Sequence, residues 1–115
     1  LVVEEKHLAK NVGSGIVSVF TTPMMIALTE KTASEGIQNY LDEDNTSVGT
    51  LINMTHDAPT PVGMKVTATT KITAIEGRKI VFDVVCKDEK TIIGKGTHER
   101  FVVNLEKFNS KANSK

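Results

Sequence analysis

The chain has 115 residues, enough for one modest core and too few for two. Hydrophobic residues make up 39% and charged residues 24%, the proportions of a globular domain, which excludes a disordered or collagen-like chain. Basic and acidic residues balance at 14 each, so no one-sided field exists to hold a nucleic-acid backbone or an anionic membrane, and neither is expected as a partner.

In chain order, Leu1 to Lys10 is predicted as a strand, and Asn11-Val12-Gly13-Ser14-Gly15 as a flexible turn. Ile16-Val17-Ser18-Val19-Phe20 is a short β-branched strand candidate. Thr21-Thr22-Pro23 then marks a helix start, with Thr22 as the expected N-cap, because a threonine hydroxyl accepts from orphan first-turn amides and proline has no amide to waste. The helix is predicted over Pro23 to Leu41, ending at the acidic run Asp42-Glu43-Asp44. At 100° per residue, Ile26, Ala33, Ile37, Tyr40 and Leu41 share an apolar face, and Glu30 falls inside it. Met24 and Leu28 spill onto the other side, so the first two turns are expected to be buried nearly all round.

After the helix the period changes to two. Val48, Thr50, Ile52, Met54 and His56 fall on one side of a strand, with Gly49, Leu51, Asn53 and Thr55 on the other. Asp57 to Gly63, with two prolines, breaks it. Strands are predicted near Met64–Glu76 and Lys79–Lys87, joined by a tight turn at Glu76-Gly77-Arg78, and a last one from about Thr91 to Leu105. The tail, Asn109 to Lys115, is polar and expected to fray, leaving one domain over residues 1–108. Short connections imply antiparallel neighbours, so the expected class is α+β: an antiparallel sheet wrapped around one long helix. Such a sheet leaves an edge strand open, and pairing about a two-fold axis closes it, which predicts a homodimer, with a tetramer left open.

Cys86 is the one cysteine, so no disulfide can form within the chain. No apolar run approaches the ~20 residues that cross a bilayer. Leu1 to Lys6 lacks the basic start and apolar stretch of a secretory signal, and the cytoplasm is the expected compartment. Cys86 continues the period-two series Ile80, Phe82, Val84 and reads as core. His7, His56 and His98 lack metal-ligand spacing, so no metal is expected.

Three side chains stand out. A carboxylate buried at Glu30 costs several kcal/mol unless partnered or protonated, and burial of that kind suits a general base near neutral pH. His56 shares its strand side with Ile52 and Met54 and points inward. Thr22 stands at a helix start, where amides favour developing negative charge. Singly, each reads as structural: Glu30 as a carboxylate reaching solvent, His56 as a hydrogen-bonded strand-end residue and Thr22 as an N-cap. His98 reads as structural, and Arg100 as an exposed strand arginine.

Three separated runs bear on the choice. They are Thr-Thr-Pro-Met-Met-Ile-Ala-Leu-Thr-Glu (21–30), Ser-Val-Gly-Thr-Leu-Ile-Asn-Met-Thr-His-Asp-Ala-Pro-Thr-Pro-Val-Gly (47–63) and Gly-Lys-Gly-Thr-His-Glu-Arg-Phe-Val-Val (94–103). In order and spacing they resemble the fluoroacetyl-CoA thioesterase-like branch of the hot-dog superfamily, over roughly Gly15 to Asn104. The resemblance implies a hot-dog fold and hydrolysis of an acyl-CoA thioester without cofactor or metal, CoA being part of the substrate. It implies Thr22, Glu30 and His56 as the catalytic set, and Gly49 as the residue whose amide holds the thioester carbonyl. In the implied chemistry Glu30 with Thr22 activates water, or Glu30 attacks the thioester itself, while His56 moves the proton. The implied site lies at a dimer interface, with Gly49 and His56 facing Thr22 and Glu30 of a second subunit. Fluoroacetyl-specific members carry aromatic residues in a lid upstream of the threonine; Asn11 to Val19 has none, so a small or medium acyl chain is expected. Lys65, Arg78 and Lys95 are candidates for the CoA phosphates. Two other functions remain open: a hot-dog hydratase or dehydratase acting on acyl thioesters, and a non-catalytic acyl-CoA-binding module.

Overall fold

A computed structural model describes all 115 residues. A 3-10 turn (Glu5–His7) and a short helix α1 (Ala9–Val12) precede the central helix α2 (Thr22–Gln38). Four strands follow, β1 (Asn45–His56), β2 (Thr67–Glu76), β3 (Lys79–Lys87) and β4 (Ile92–Asn104), and then helix α3 (Leu105–Asn113). The sheet order is β1-β4-β3-β2, with every pairing antiparallel. The expected α+β sheet around one long helix is therefore found. The β2–β3 turn holds Gly77 at φ +64°, its first central position, which is where a type II′ hairpin requires glycine. No helix is long and apolar enough to cross a membrane.

The N-terminal fifth departs from expectation. Leu1 to Lys10 is not a strand: it makes two isolated bridges, at Val2 and Leu8, with the 3-10 turn between them and the start of α1 after. Ile16 to Phe20 contributes only the bridge between Phe20 and Leu8. Both segments bond partly to the loop after β1, with Val3 N–H donating to Met64 O at 3.0 Å and Phe20 N–H to Thr60 O at 2.9 Å, and partly to each other, with Ala9 N–H donating to Val19 O at 2.9 Å. β-branched composition suggests a buried strand, but Ile16 and Val17 are exposed and the segment meets the start of α1 and a proline-broken loop, neither of which carries a ladder. The expected tail is also different, since Asn109 to Asn113 continues α3, although none of that helix is buried.

The core lies between the concave face of the sheet and α2. Helix α2 buries Met25, Thr29, Ala33 and Ile37, spaced four apart, against Ile80, Phe82, Val84 and Cys86 of β3. The β3 alternation is the one read from sequence, and Cys86 is core as expected. Its Sγ meets the Thr29 hydroxyl at 3.4 Å, and burial pushes the thiol pKa up, away from nucleophilic chemistry. Helix α2 stops at Gln38, so Tyr40 lies beyond it and is 88% exposed instead of on the apolar face. Burial around the first two turns is one-sided: Thr22, Pro23 and Ala27 are exposed, while Met24 and Leu28 are half-buried.

Candidate active site

The helix start is displaced by one residue from the expected cap. Thr21 is the N-cap, Thr22 the first helical residue and Pro23 the second. The Thr21 hydroxyl does not cap; it hydrogen-bonds the hydroxyl of Ser14 in the segment above. That leaves Thr22 free to reach across to the end of β1, where its Oγ1 lies 2.7 Å from Nδ1 of His56. His56 is fixed there because β1 ends on a tie to β4, with Asp57 N–H donating to Ile93 O at 2.6 Å. Its Nε2 is enclosed and has no hydrogen-bond partner. Burial pushes the imidazole below its ordinary value of 6.5, while the charge of Asp57 and the Ala58 backbone pull it back up. The ring is therefore set to be neutral, the form that accepts a proton.

This shift has a measurable sign. A histidine whose folded pKa is depressed contributes stability that is complete above its unfolded value of 6.5 and is lost as pH falls through the folded value. His56→Gln is expected to flatten the decline in Tm between pH 7 and pH 5 relative to the parent. Parallel Tm-versus-pH curves for the two proteins would contradict it.

Thr22 and His56 stand at the mouth of a cavity of about 280 Å³. Its apolar lining is Ala9, Val17, Val19, Phe20 and Ala58. Phe20, the one aromatic residue near the expected lid, is fully buried, whereas Ile16 on that segment is 94% exposed.

Glu30 takes a different position from the one its periodicity predicts. Its side chain is 43% exposed, and it faces Arg100, whose Nη1 is 3.7 Å from Oε2. Arg100, expected to be exposed, is instead buried at 6% exposure. Its Nε donates to Ser47 Oγ at 2.8 Å and its Nη2 to Ser47 O at 2.9 Å. Burial lowers the guanidinium pKa and the facing carboxylate raises it. Gly49 lies on this same side. The strand carries a bulge between Gly49 and Leu51, which flips the alternation, so Ser47 and Gly49 face the helix together with Ile52, Met54 and His56. Strict period two placed Gly49 on the opposite face. The close approach explains the glycine: a Cβ there would stand 2.6 Å from Glu30 Oε2.

The predicted four thus collect on one side of the sheet within a single chain. Thr22 pairs with His56, and Glu30 stands against Arg100 and Gly49. Thr22 does not need a second subunit to meet His56. Ser47 was missed, and Arg100, weighed as able to face the site but read as an exposed strand arginine, is buried on the same side of the strand as His98. No group of three or more His, Cys, Asp or Glu side chains gathers in metal-binding range.

A long helix wrapped by an antiparallel sheet, with a hydroxyl–imidazole pair at the helix start, defines a hot-dog protein. Residues 3–106 match the family described as FlK, fluoroacetyl-CoA-specific thioesterase, and the chain belongs to that family. The fluoroacetyl-CoA thioesterase of Streptantibioticus cattleyicolor is 42% identical over 97 residues, 84% of this chain and 70% of that protein. The solved structure of the fluoroacetyl-CoA thioesterase FlK superposes with a TM-score of 0.95 at 36% identity, over 100% of this chain and 90% of FlK. A variant of FlK in complex with fluoroacetate and CoA gives 0.94 at 35% identity, over 99% and 94% of the two chains. A hot-dog-like protein from Thermanaerovibrio acidaminovorans, 22% identical with a TM-score of 0.89, covers 99% of this chain and 84% of its own and shares the fold.

Proposed function

We propose that this protein is a thioester hydrolase that cleaves a small or medium acyl-CoA to the free acid and CoA. The observation that carries it is the 2.7 Å hydrogen bond between Thr22 and His56 at the mouth of the cavity. A hydroxyl paired with a neutral imidazole is the arrangement that activates an oxygen nucleophile. Glu30, opposite Arg100, serves as base toward water or attacks the thioester carbonyl itself. As base, Glu30 takes a proton from water while the water oxygen bonds to the carbonyl carbon and the C–S bond breaks; as nucleophile, it forms an anhydride with release of the thiolate, and water then cleaves the anhydride to the acid and the free Glu30 carboxylate. In both routes one proton of the water consumed ends on the thiol, with His56 as the relay. Gly49 and the amides at the start of α2 stabilise the oxyanion. With no aromatic residue between Asn11 and Val19, a fluorine-specific enclosure has no support from that segment.

The supporting arrangement is a homodimer, in which the exposed edges β1 and β2 and side chains such as Ile75, 65% exposed, find cover. The single buried, unpaired Cys86 favours the cytoplasm. Residues 1–108 form the hot-dog domain, with 109–115 a polar extension. The test is thiol release across a panel of acyl-CoAs, from acetyl to octanoyl, with Glu30→Gln in parallel. Short chains are expected to be hydrolysed best, and Glu30→Gln to lose about 10²-fold or more in kcat/KM. Hydration of an enoyl-CoA without thiol release would assign the protein to the hydratases instead, and tight binding of intact acyl-CoA with no turnover to the binding modules.

A further inference from the structure

His98 is fully buried and has no part in the chemistry above. Its ring lies against Phe82, with centroids 5.8 Å apart and planes 23° from parallel. Nδ1 is 2.8 Å from the carbonyl oxygen of Leu51. A carbonyl only accepts, so Nδ1 carries the hydrogen. Nε2 is 3.3 Å from Nη1 of Arg100, and a guanidinium only donates, so Nε2 presents its lone pair. One form of the ring satisfies both contacts: neutral, with hydrogen on Nδ1.

Arg100 is thereby held at all three nitrogens, Nε and Nη2 by Ser47 and Nη1 by His98. Its Nη1 stands 3.7 Å from Glu30 Oε2. That separation favours the carboxylate electrostatically but is too long for a hydrogen bond. We propose that His98 is a positioning residue which, by accepting from Nη1, holds Arg100 off Glu30 and leaves the carboxylate oxygens free for the reacting water. The proposal rests on the role given to Glu30 above. Without His98, the freed Nη1 hydrogen has the Glu30 carboxylate, 3.7 Å away, as an available charged acceptor. A buried guanidinium released in this way closes on it, because a charge-assisted bond is about twice as strong as a neutral one. The lone pair the base needs is then occupied.

The experiment compares His98→Leu, which removes the acceptor, with His98→Gln, whose amide restores both an acceptor and a donor. His98→Leu is expected to lose about tenfold or more in kcat with KM changed by less than about twofold, and His98→Gln to recover to within about threefold of the parent. In the parent, ¹⁵N NMR is expected to show His98 protonated at Nδ1 and bare at Nε2. Full kcat in His98→Leu overturns the proposal, as does equal loss in both variants when both melt near the parent. So does a hydrogen on Nε2. Should His98→Leu fail to fold, His98→Gln decides alone: a tenfold loss in that variant overturns it. A parent protein that releases no thiol from any acyl-CoA overturns the thioesterase reading, and the NMR measurement still tests the clamp on Arg100 separately.

Discussion

Replacing His56 with alanine is expected to lower kcat/KM toward a short acyl-CoA by roughly 10²- to 10⁴-fold, the range for losing a positioned general acid–base group. The argument begins with the 2.7 Å contact to Thr22, which only His56 makes. Burial keeps the ring neutral and ready to accept, and its enclosed Nε2 has no protein partner to compete for the transferred proton. Thr22→Val removes the other half of the same pair. The two losses should not add: the double variant is expected to fall within about threefold of the worse single one, because residues acting as a unit are strongly non-additive. Folding should survive His56→Ala, because the side chain is half-buried at a strand end. The measurement is steady-state thiol release alongside a melting curve. Activity near that of the parent in His56→Ala would remove the Thr22–His56 pair from the mechanism.

The largest effect on stability is expected at Gly96. It lies in β4, at the middle of the sheet, opposite Met54 of β1 and Val84 of β3. A Cβ there would overlap the carbonyl oxygen of Asn53, and would lie 2.7 Å from Met54 Cα and 2.9 Å from Asn53 C. These are backbone atoms, and no rotamer change moves them aside. Gly96→Ala therefore separates β1 from β4 and is expected to cost about 3 kcal/mol or more. For a domain of this size that lowers Tm by roughly 10 °C. Since β1 carries Ser47, Gly49 and His56, activity should fall with the pairing. A Tm within two or three degrees of the parent, measured by thermal denaturation, would show that the sheet accommodates the methyl group.

Much of the fold was legible because it rests on local patterns. The period-two series Ile80, Phe82, Val84, Cys86 specifies β3 and its buried face. The Gly77 turn sets the β2–β3 register, and Thr21-Thr22-Pro23 marks the start of α2 to within one residue. What misled was any inference that carried a strict period across an irregularity. The bulge after Gly49 reverses the strand's faces, and one residue is enough to do so. The helix ends three residues before Leu41, and Tyr40 leaves the apolar face with it. The N-terminal segments have strand-like composition but meet a loop, and composition does not name the partner.

The site divides along the same line. Which groups are present, and roughly where, is legible along the chain: a threonine at a helix start, a glutamate two turns along, a histidine closing the next strand, and the three ordered runs that mark a fluoroacetyl-CoA thioesterase-like chain. Side-chain identity and spacing are written locally, so they can be read locally. Only the tertiary structure decided the pairings: Thr22 with His56, Glu30 with a buried Arg100, and Arg100 held by Ser47 and His98. Apart from the His98–Arg100 contact, which spans two positions, those contacts join residues from 34 to 70 positions apart. They depend on the bulge, the turn that ends β1 and the register of β1 on β4, none of which any single stretch of the chain encodes.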